Sequence, residues 1–146
     1  MQLARWRGAR VTGTASAANL EVVRGLGADD VIDYRAQRFE DVVRDIDVVF
    51  DGVGGETLER SWGVLKPGGT LITIASSSEN AADERTRAAF FIVETSKPQL
   101  EEVARLIDSG AIRPIAGSVF PLAEARQAYQ HKPAHGKTVL QVVAVG

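Results

Sequence analysis

Three short stretches of this chain carry residues able to do chemistry, and each follows an apolar run. In "GTAS" (13–16) the hydroxyl residues Thr14 and Ser16 flank Ala15. "DGVGGET" (51–57) places glycines where a strand hands over to a helix, and "IASS" (74–77) closes another apolar run with small residues. Glycine and small side chains let the backbone approach an anion, a ribose oxygen or a flat ring. In open parallel sheets such ligands collect at the carboxyl ends of the strands. In dinucleotide sites the strand after the phosphate helix commonly ends in Asp or Glu, which holds the ribose 2′-hydroxyl of NAD. Here Thr14, Ala15 and Ser16 occupy that end, without an acid. The small polar end leaves room for a 2′-phosphate, with Ser16 as a donor to it and Arg35, beside Tyr34, lending charge. NADP is therefore favoured over NAD. Ser16 equally suits the N-cap of a helix over 17–26, and the two roles can coexist.

The other two stretches leave alternatives open. "GVGGET" resembles a G-x-G-x-x-G fingerprint, with Thr57 standing at the third glycine. Its N–H groups can meet an anion or ribose oxygen; otherwise it is a tight turn that needs glycine for its backbone angles. "IASS" either admits a flat ring or starts a loop. Phe90 and Phe91 read as core, with one able to touch a cofactor, and Trp6 and Trp62 read as packing residues. His131 and His135 are four apart, but Pro133 between them breaks the helix that would face them together, so no metal site is expected. With no cysteine in the chain, disulfides and thiolate zinc sites are excluded. No Ser-His-Asp arrangement is visible. The acids Asp29, Asp30, Asp41, Asp45 and Asp47 fall at element ends as solvated charges.

The elements that must position these stretches alternate. A helix over 2–7 stops at Gly8, a strand follows at 10–15, and a helix at 17–26 stops at Gly27. Strand 30–34 and a short helix 39–45 lead to "IDVVFDGV" (46–53), an apolar run expected of a strand buried on both faces. Helix 55–66, the turn "KPGG" (66–69) and strand 70–76 come next. Helix 97–109 shows Leu100, Val103, Ala104 and Ile107 on one face. A strand near 112–120, a helix 122–131 and a last strand 138–143 complete the chain. Strand–helix alternation with short connections predicts a doubly wound parallel α/β sheet. The chain has 146 residues, 45% of them hydrophobic and 25% charged, with a net charge of -2. That is ordinary for a globular domain and wrong for a nucleic-acid surface, which needs a basic patch. No run is long enough to span a membrane and no signal-peptide layout is present, so a cytoplasmic protein is expected.

The stretches "GARVTGTASAANLEVVRGLGADDVIDYR", "DVVFDGVGGETLERSWGVLKPGGTLITIAS" and "FPLAEARQAYQHKPAHGKTVL" together resemble the zinc-independent quinone oxidoreductases of the medium-chain dehydrogenase/reductase superfamily. The resemblance implies an incomplete Rossmann-like domain over 1–110. It makes 111–146 a strand–helix–strand segment that returns toward a GroES-like catalytic domain. It implies NADP as cofactor, hydride transfer from NADPH, and a small-molecule quinone, enone or related carbonyl as substrate. By position, Ser16 and Tyr34 match residues around the adenosine phosphate, and Val53 and Gly54 the loop beside the nicotinamide ribose. Ala75 with Ser76, and Phe90 with Phe91, match positions around the nicotinamide. Relatives often carry a lysine shortly after the Ser16 position, where this chain has Asn19, which weakens the preference for NADP.

The family's glycine-rich phosphate loop and first strand would precede Met1, which stands where relatives tend to carry Val. A truncated or mis-called start is one expectation, with weak NADPH binding and no quinone turnover as its consequences. Another is a gap between strands 10–15 and 46–53, which either closes, is filled by "TVLQVVAV" (138–145), or drives self-association. Two competing readings are a non-catalytic remnant with the same fold and an S-adenosylmethionine methyltransferase, in which "VLKPGGTLI" also occurs. The latter wants an acid after strand 10–15, and none is there.

Overall fold

The computed structural model describes residues 1–143, the side chain of Ser76 excepted. The chain divides into two compact units, Met1–Ser96 and Lys97–Gly146, so the division falls before the helix that the sequence pattern groups with residues 1–110.

In the first unit α1 (Gln2–Trp6) ends at Gly8, whose φ of +82° is the left-handed conformation that glycine adopts without strain. Then follow β1 (Thr12–Ala15), α2 (Leu20–Gly25, entered through a 3₁₀ turn at Ala17–Asn19) and β2 (Asp30–Asp33). β1 and β2 pair in parallel with Ala15 opposite Asp33. Ala15, Val23 and Ala28 form a small core with Val11, Leu20 and Val31 around it. Ile32, the next residue along β2, packs with Phe39 and Val64 in a second core, as strand alternation requires. The helix expected at 39–45 is only a 3₁₀ turn, Phe39–Asp41, and Asp45 takes a φ of +57° that ends any helix there.

β3 (Ile46–Asp51), α3 (Gly55–Ser61, continued by a 3₁₀ turn to Val64) and β4 (Leu65–Thr73) complete the second strand–helix–strand motif. β3 and β4 are also parallel, and a register shift between Ile46 and Val48 absorbs the "KPGG" turn into β4. A further helix, α4 (Glu84–Ala89), is capped by the Asp83 side chain and leads to Phe90, which bridges to Thr73 of β4.

Several sequence expectations are corrected. β3 is not buried on both faces: Ile46 and Val49 join the second core, but Val48 and Phe50 are 59% and 68% exposed, because no described element of the unit covers that face. Phe91 and Trp6 lie at the surface rather than in the core, and Phe90 is half-buried. Trp62 is half-buried with the Arg85 guanidinium 4.2 Å from its ring centroid. The parallel α/β arrangement itself is the expected one, a partial Rossmann-like sheet: among the described residues of this unit β1 bonds only β2 and β3 bonds only β4.

In the second unit α5 (Lys97–Asp108) buries Leu106, while Leu100 and Ile107 are exposed. β5 (Ala116–Pro121), α6 (Ala125–Gln130) and β6 (Lys137–Gln141) follow, with β5 and β6 parallel. β6 therefore pairs with β5 inside this unit, and among the described residues it bonds neither β1 nor β3. Residues 144 and 145 of the stretch proposed as filler lie outside the described residues.

Three exposed acids give the fold a pH dependence. The Val11 N–H bonded to Asp29, with Arg5 and Arg10 nearby, holds its carboxyl below the ordinary value of 3.8. The Lys66 ammonium does the same for Asp47, and the Thr86 hydroxyl and N–H for Asp83. A carboxyl whose folded pKa lies below its unfolded one contributes stability above the unfolded value and loses it as pH falls through the folded value. Urea stability should therefore be flat from neutral pH down to about pH 5 and fall below about pH 4. A stability unchanged between those limits and pH 2.5 would contradict these three contacts.

Candidate functional site

Two loop clusters form, one at the carboxyl end of each parallel pair in the first unit. At the β1–β2 end, the Tyr34 N–H donates to the Ala15 carbonyl at 3.1 Å, which brings the residues just past both strands together. Ser16 stands at the entry to the 3₁₀ turn in an extended conformation, the geometry of a cap residue, but its side chain makes no capping hydrogen bond. Its hydroxyl instead accepts from the Asn19 side-chain amide at 3.3 Å. Tyr34 is 53% exposed, and the Arg35 guanidinium lies 5.7 Å from its ring centroid, a cation–π contact. This end thus offers a hydroxyl, an amide, an aromatic face and a cation, with no acid after β1.

The β3–β4 end is built around a buried carboxyl group. Asp51 is the last residue of β3 and only 5% exposed. Its Oδ1 accepts from the Val53 and Gly54 N–H groups, each at 3.2 Å, and its Oδ2 from Gly54 N–H at 3.0 Å and the Thr73 hydroxyl at 2.7 Å. The Thr73 hydroxyl in turn accepts from the Ala75 N–H at 3.1 Å. The Val53 and Gly54 N–H groups of the "DGVGGET" turn are therefore already committed to Asp51. The Val53 side chain beside them is 72% exposed. Gly54 has φ +76° and ψ −166°, and a Cβ on it would stand 2.8 Å from Ala75 Cβ. The Val53–Gly54 and Ala75 loops are in contact, and Phe91 joins them through its N–H on the Thr73 carbonyl at 2.9 Å.

So Val53, Gly54, Ala75, Phe90 and Phe91 gather at one strand end and Ser16 and Tyr34 at the other. The backbone at Ser76 opens a 3₁₀ turn, and its side chain lies outside the described residues. Asp51 and Thr73 were missed as site residues. An Asp that ends an apolar run just before glycines is a legible turn signal, since its side chain bonds N–H groups two and three residues on. Nothing comparable marks Thr73.

His131 Nε2 lies 2.7 Å from the Ser118 hydroxyl, and its ring centroid 5.3 Å from that of Phe120. Among the described residues no three His, Asp or Glu side chains converge to hold a metal ion.

Residues 26–140 match the family model described as zinc-binding dehydrogenase. The chain belongs to that family. Within it, this dehydrogenase-family chain is quinone oxidoreductase-like, a member of the medium-chain dehydrogenase/reductase superfamily with a partial Rossmann-like domain. It is 32% identical to a mitochondrial NAD(P)H oxidoreductase of Mus musculus, over 98% of this chain and 44% of that protein. It is 31% identical to an NADPH-dependent alkenal/one oxidoreductase of the Arabidopsis thaliana chloroplast, over 96% of this chain and 36% of that protein. Among solved structures, the quinone oxidoreductase of Coxiella burnetii superposes with a TM-score of 0.80 at 25% identity, covering 97% of this chain and 48% of the other. The chain spans less than half the length of these relatives. The family's description names zinc, but the donor set here does not fit it: there is no cysteine, and the described His, Asp and Glu side chains form no cluster. The oxidoreductase likeness over nearly the whole chain removes the methyltransferase alternative. Among the described residues no helix is long and apolar enough to cross a membrane.

Proposed function

We propose that this chain supplies much of the NADP-binding half of an oxidoreductase that passes hydride from NADPH to a quinone, enone or related carbonyl. The observation that carries this reading is the placement of two small-residue loop clusters at the carboxyl ends of two parallel strand pairs, where open α/β sheets bind nucleotides. Ser16, Tyr34 and the neighbouring Arg35 would hold the adenosine phosphate. Val53 and Gly54 would lie along the nicotinamide ribose, with Ala75, Ser76, Phe90 and Phe91 around the nicotinamide. The cofactor, when bound, supplies the hydride. What these residues contribute is position: backbone and apolar surface on which a flat ring can rest, and, for the extra phosphate, a hydroxyl and a cation with no acid ending β1, while Asp33 at the end of β2 is engaged by the Arg35 N–H at 3.0 Å. The relatives' names support a nicotinamide cofactor of either kind, and the missing acid after β1 favours NADP. We also propose that the chain associates with itself, because among the described residues β1 and β3 each keep one unpaired edge.

Titration of NADPH and NADH into the 146-residue chain tests the cofactor assignment. NADPH should bind more tightly by roughly ten- to a hundred-fold, the 1.5–3 kcal/mol of a hydrogen bond to a charged group. Equal or tighter binding of NADH would overturn the choice of NADP, and binding of neither would leave the non-catalytic reading in its place.

A further inference from the structure

We infer that Asp51 and Thr73 are positioning residues, a buried two-residue clamp that holds the three loop segments of the nicotinamide end in one arrangement. The inference rests on the cofactor reading for what lies against those segments, and on geometry alone for the clamp. Asp51 and Thr73 are opposite one another in the parallel register of β3 and β4. Thr73 is fully buried, and its hydroxyl is used twice, donating to Asp51 Oδ2 and accepting from the Ala75 N–H. Asp51 gathers the Val53 and Gly54 N–H groups onto the same carboxyl group. The main chain of Thr73 carries the third segment, through its bridge to Phe90 and its carbonyl on the Phe91 N–H. One residue pair therefore ties together every segment proposed to surround the nicotinamide, yet neither side chain is exposed enough to touch a ligand.

A buried polar pair of this kind has a consequence that simple packing does not. A valine at 73 keeps the shape of threonine but removes the hydroxyl. The Ala75 N–H then loses its acceptor and Asp51 loses one of its donors, while the bonds of the Thr73 main chain remain. The loops should loosen locally and the adenosine end should not change.

The experiment compares the wild-type chain with Thr73→Val and Thr73→Ser, using amide exchange and amide shifts on addition of NADPH or 2′,5′-ADP. In Thr73→Val the Gly54 and Ala75 amides should exchange at least about tenfold faster, the effect of losing a charge-assisted hydrogen bond, with the Phe91 amide unchanged. NADPH should lose its shifts at Val53, Gly54 and Ala75 in this variant and keep those at Tyr34. Binding of 2′,5′-ADP should match wild type, and Thr73→Ser should restore both readouts. Unchanged exchange in Thr73→Val would overturn the clamp, as would loss of both ligands together with faster exchange throughout the first unit. If NADPH shifts Tyr34 but none of Val53, Gly54, Ala75 and Phe90 in the wild-type chain, the nicotinamide placement falls. Asp51 and Thr73 are then a structural link without a positioning role, whatever the exchange rates show.

Discussion

The 146-residue chain should associate in solution rather than persist as a monomer with a cooperative, high-temperature melt. Among the described residues β1 bonds only β2, β3 bonds only β4, and β6, the candidate filler, is engaged with β5. Among the described residues β1 and β3 each therefore keep an edge open to pairing with another strand. Val48 and Phe50 sit on the uncovered face of β3, at 59% and 68% exposure, with unpaired backbone groups beside them. Each large apolar side chain left on an open strand face forgoes roughly 1.5–3 kcal/mol of burial, so Val48 and Phe50 together forgo about 3–6 kcal/mol. That is a large share of the whole stability of a domain, roughly 5–15 kcal/mol. Exposed apolar strand edges recruit other edges. Light scattering should show concentration-dependent growth in mass, and the double substitution Val48→Lys with Phe50→Glu should suppress it by placing charge on the open strand. A clean monomer that melts cooperatively above about 60 °C, the upper part of the mesophile range, would overturn the expectation.

Gly54→Val should unfold or severely weaken the first unit and abolish any NADPH response at the β3–β4 end. At φ +76° and ψ −166°, Gly54 occupies a backbone region open essentially to glycine alone, where another residue costs about 1–3 kcal/mol. Its Cβ would also stand 2.8 Å from Ala75 Cβ and 2.9 Å from Ser77 Oγ, closer than atoms in contact approach. Overpacking of that kind costs a further 1–3 kcal/mol or so. The sum, about 2–6 kcal/mol, is a large share of a marginal stability. Gly63→Ala is the matched control, since a Cβ there meets nothing within 4 Å, and it should stay within about 0.5 kcal/mol of wild type. Urea denaturation of the three proteins reads both outcomes. A Gly54→Val chain as stable as wild type would mean that the tight approach of the two loops is dispensable.

Local chemistry by itself determined the strand–helix alternation, because glycine stops and apolar periodicity act over a few residues: Gly8 and Gly27 end their helices at positive φ, as their positions indicated. It also determined where small-residue loops would fall at the strand ends, since small residues after strands are legible without a fold. Burial was decided by tertiary structure. The run "IDVVF" reads as buried on both faces, but no described element of the first unit covers Val48 and Phe50, and they are exposed. Ile107 continues the apolar face of its helix in sequence, but Leu106 is the residue buried. The clamp was decided there too. Whether Thr73 lies opposite Asp51 depends on the register of β3 and β4, which a shift near Ile46 displaces. Register comes from long-range packing of two strands separated by a helix, and no spacing within either strand encodes it.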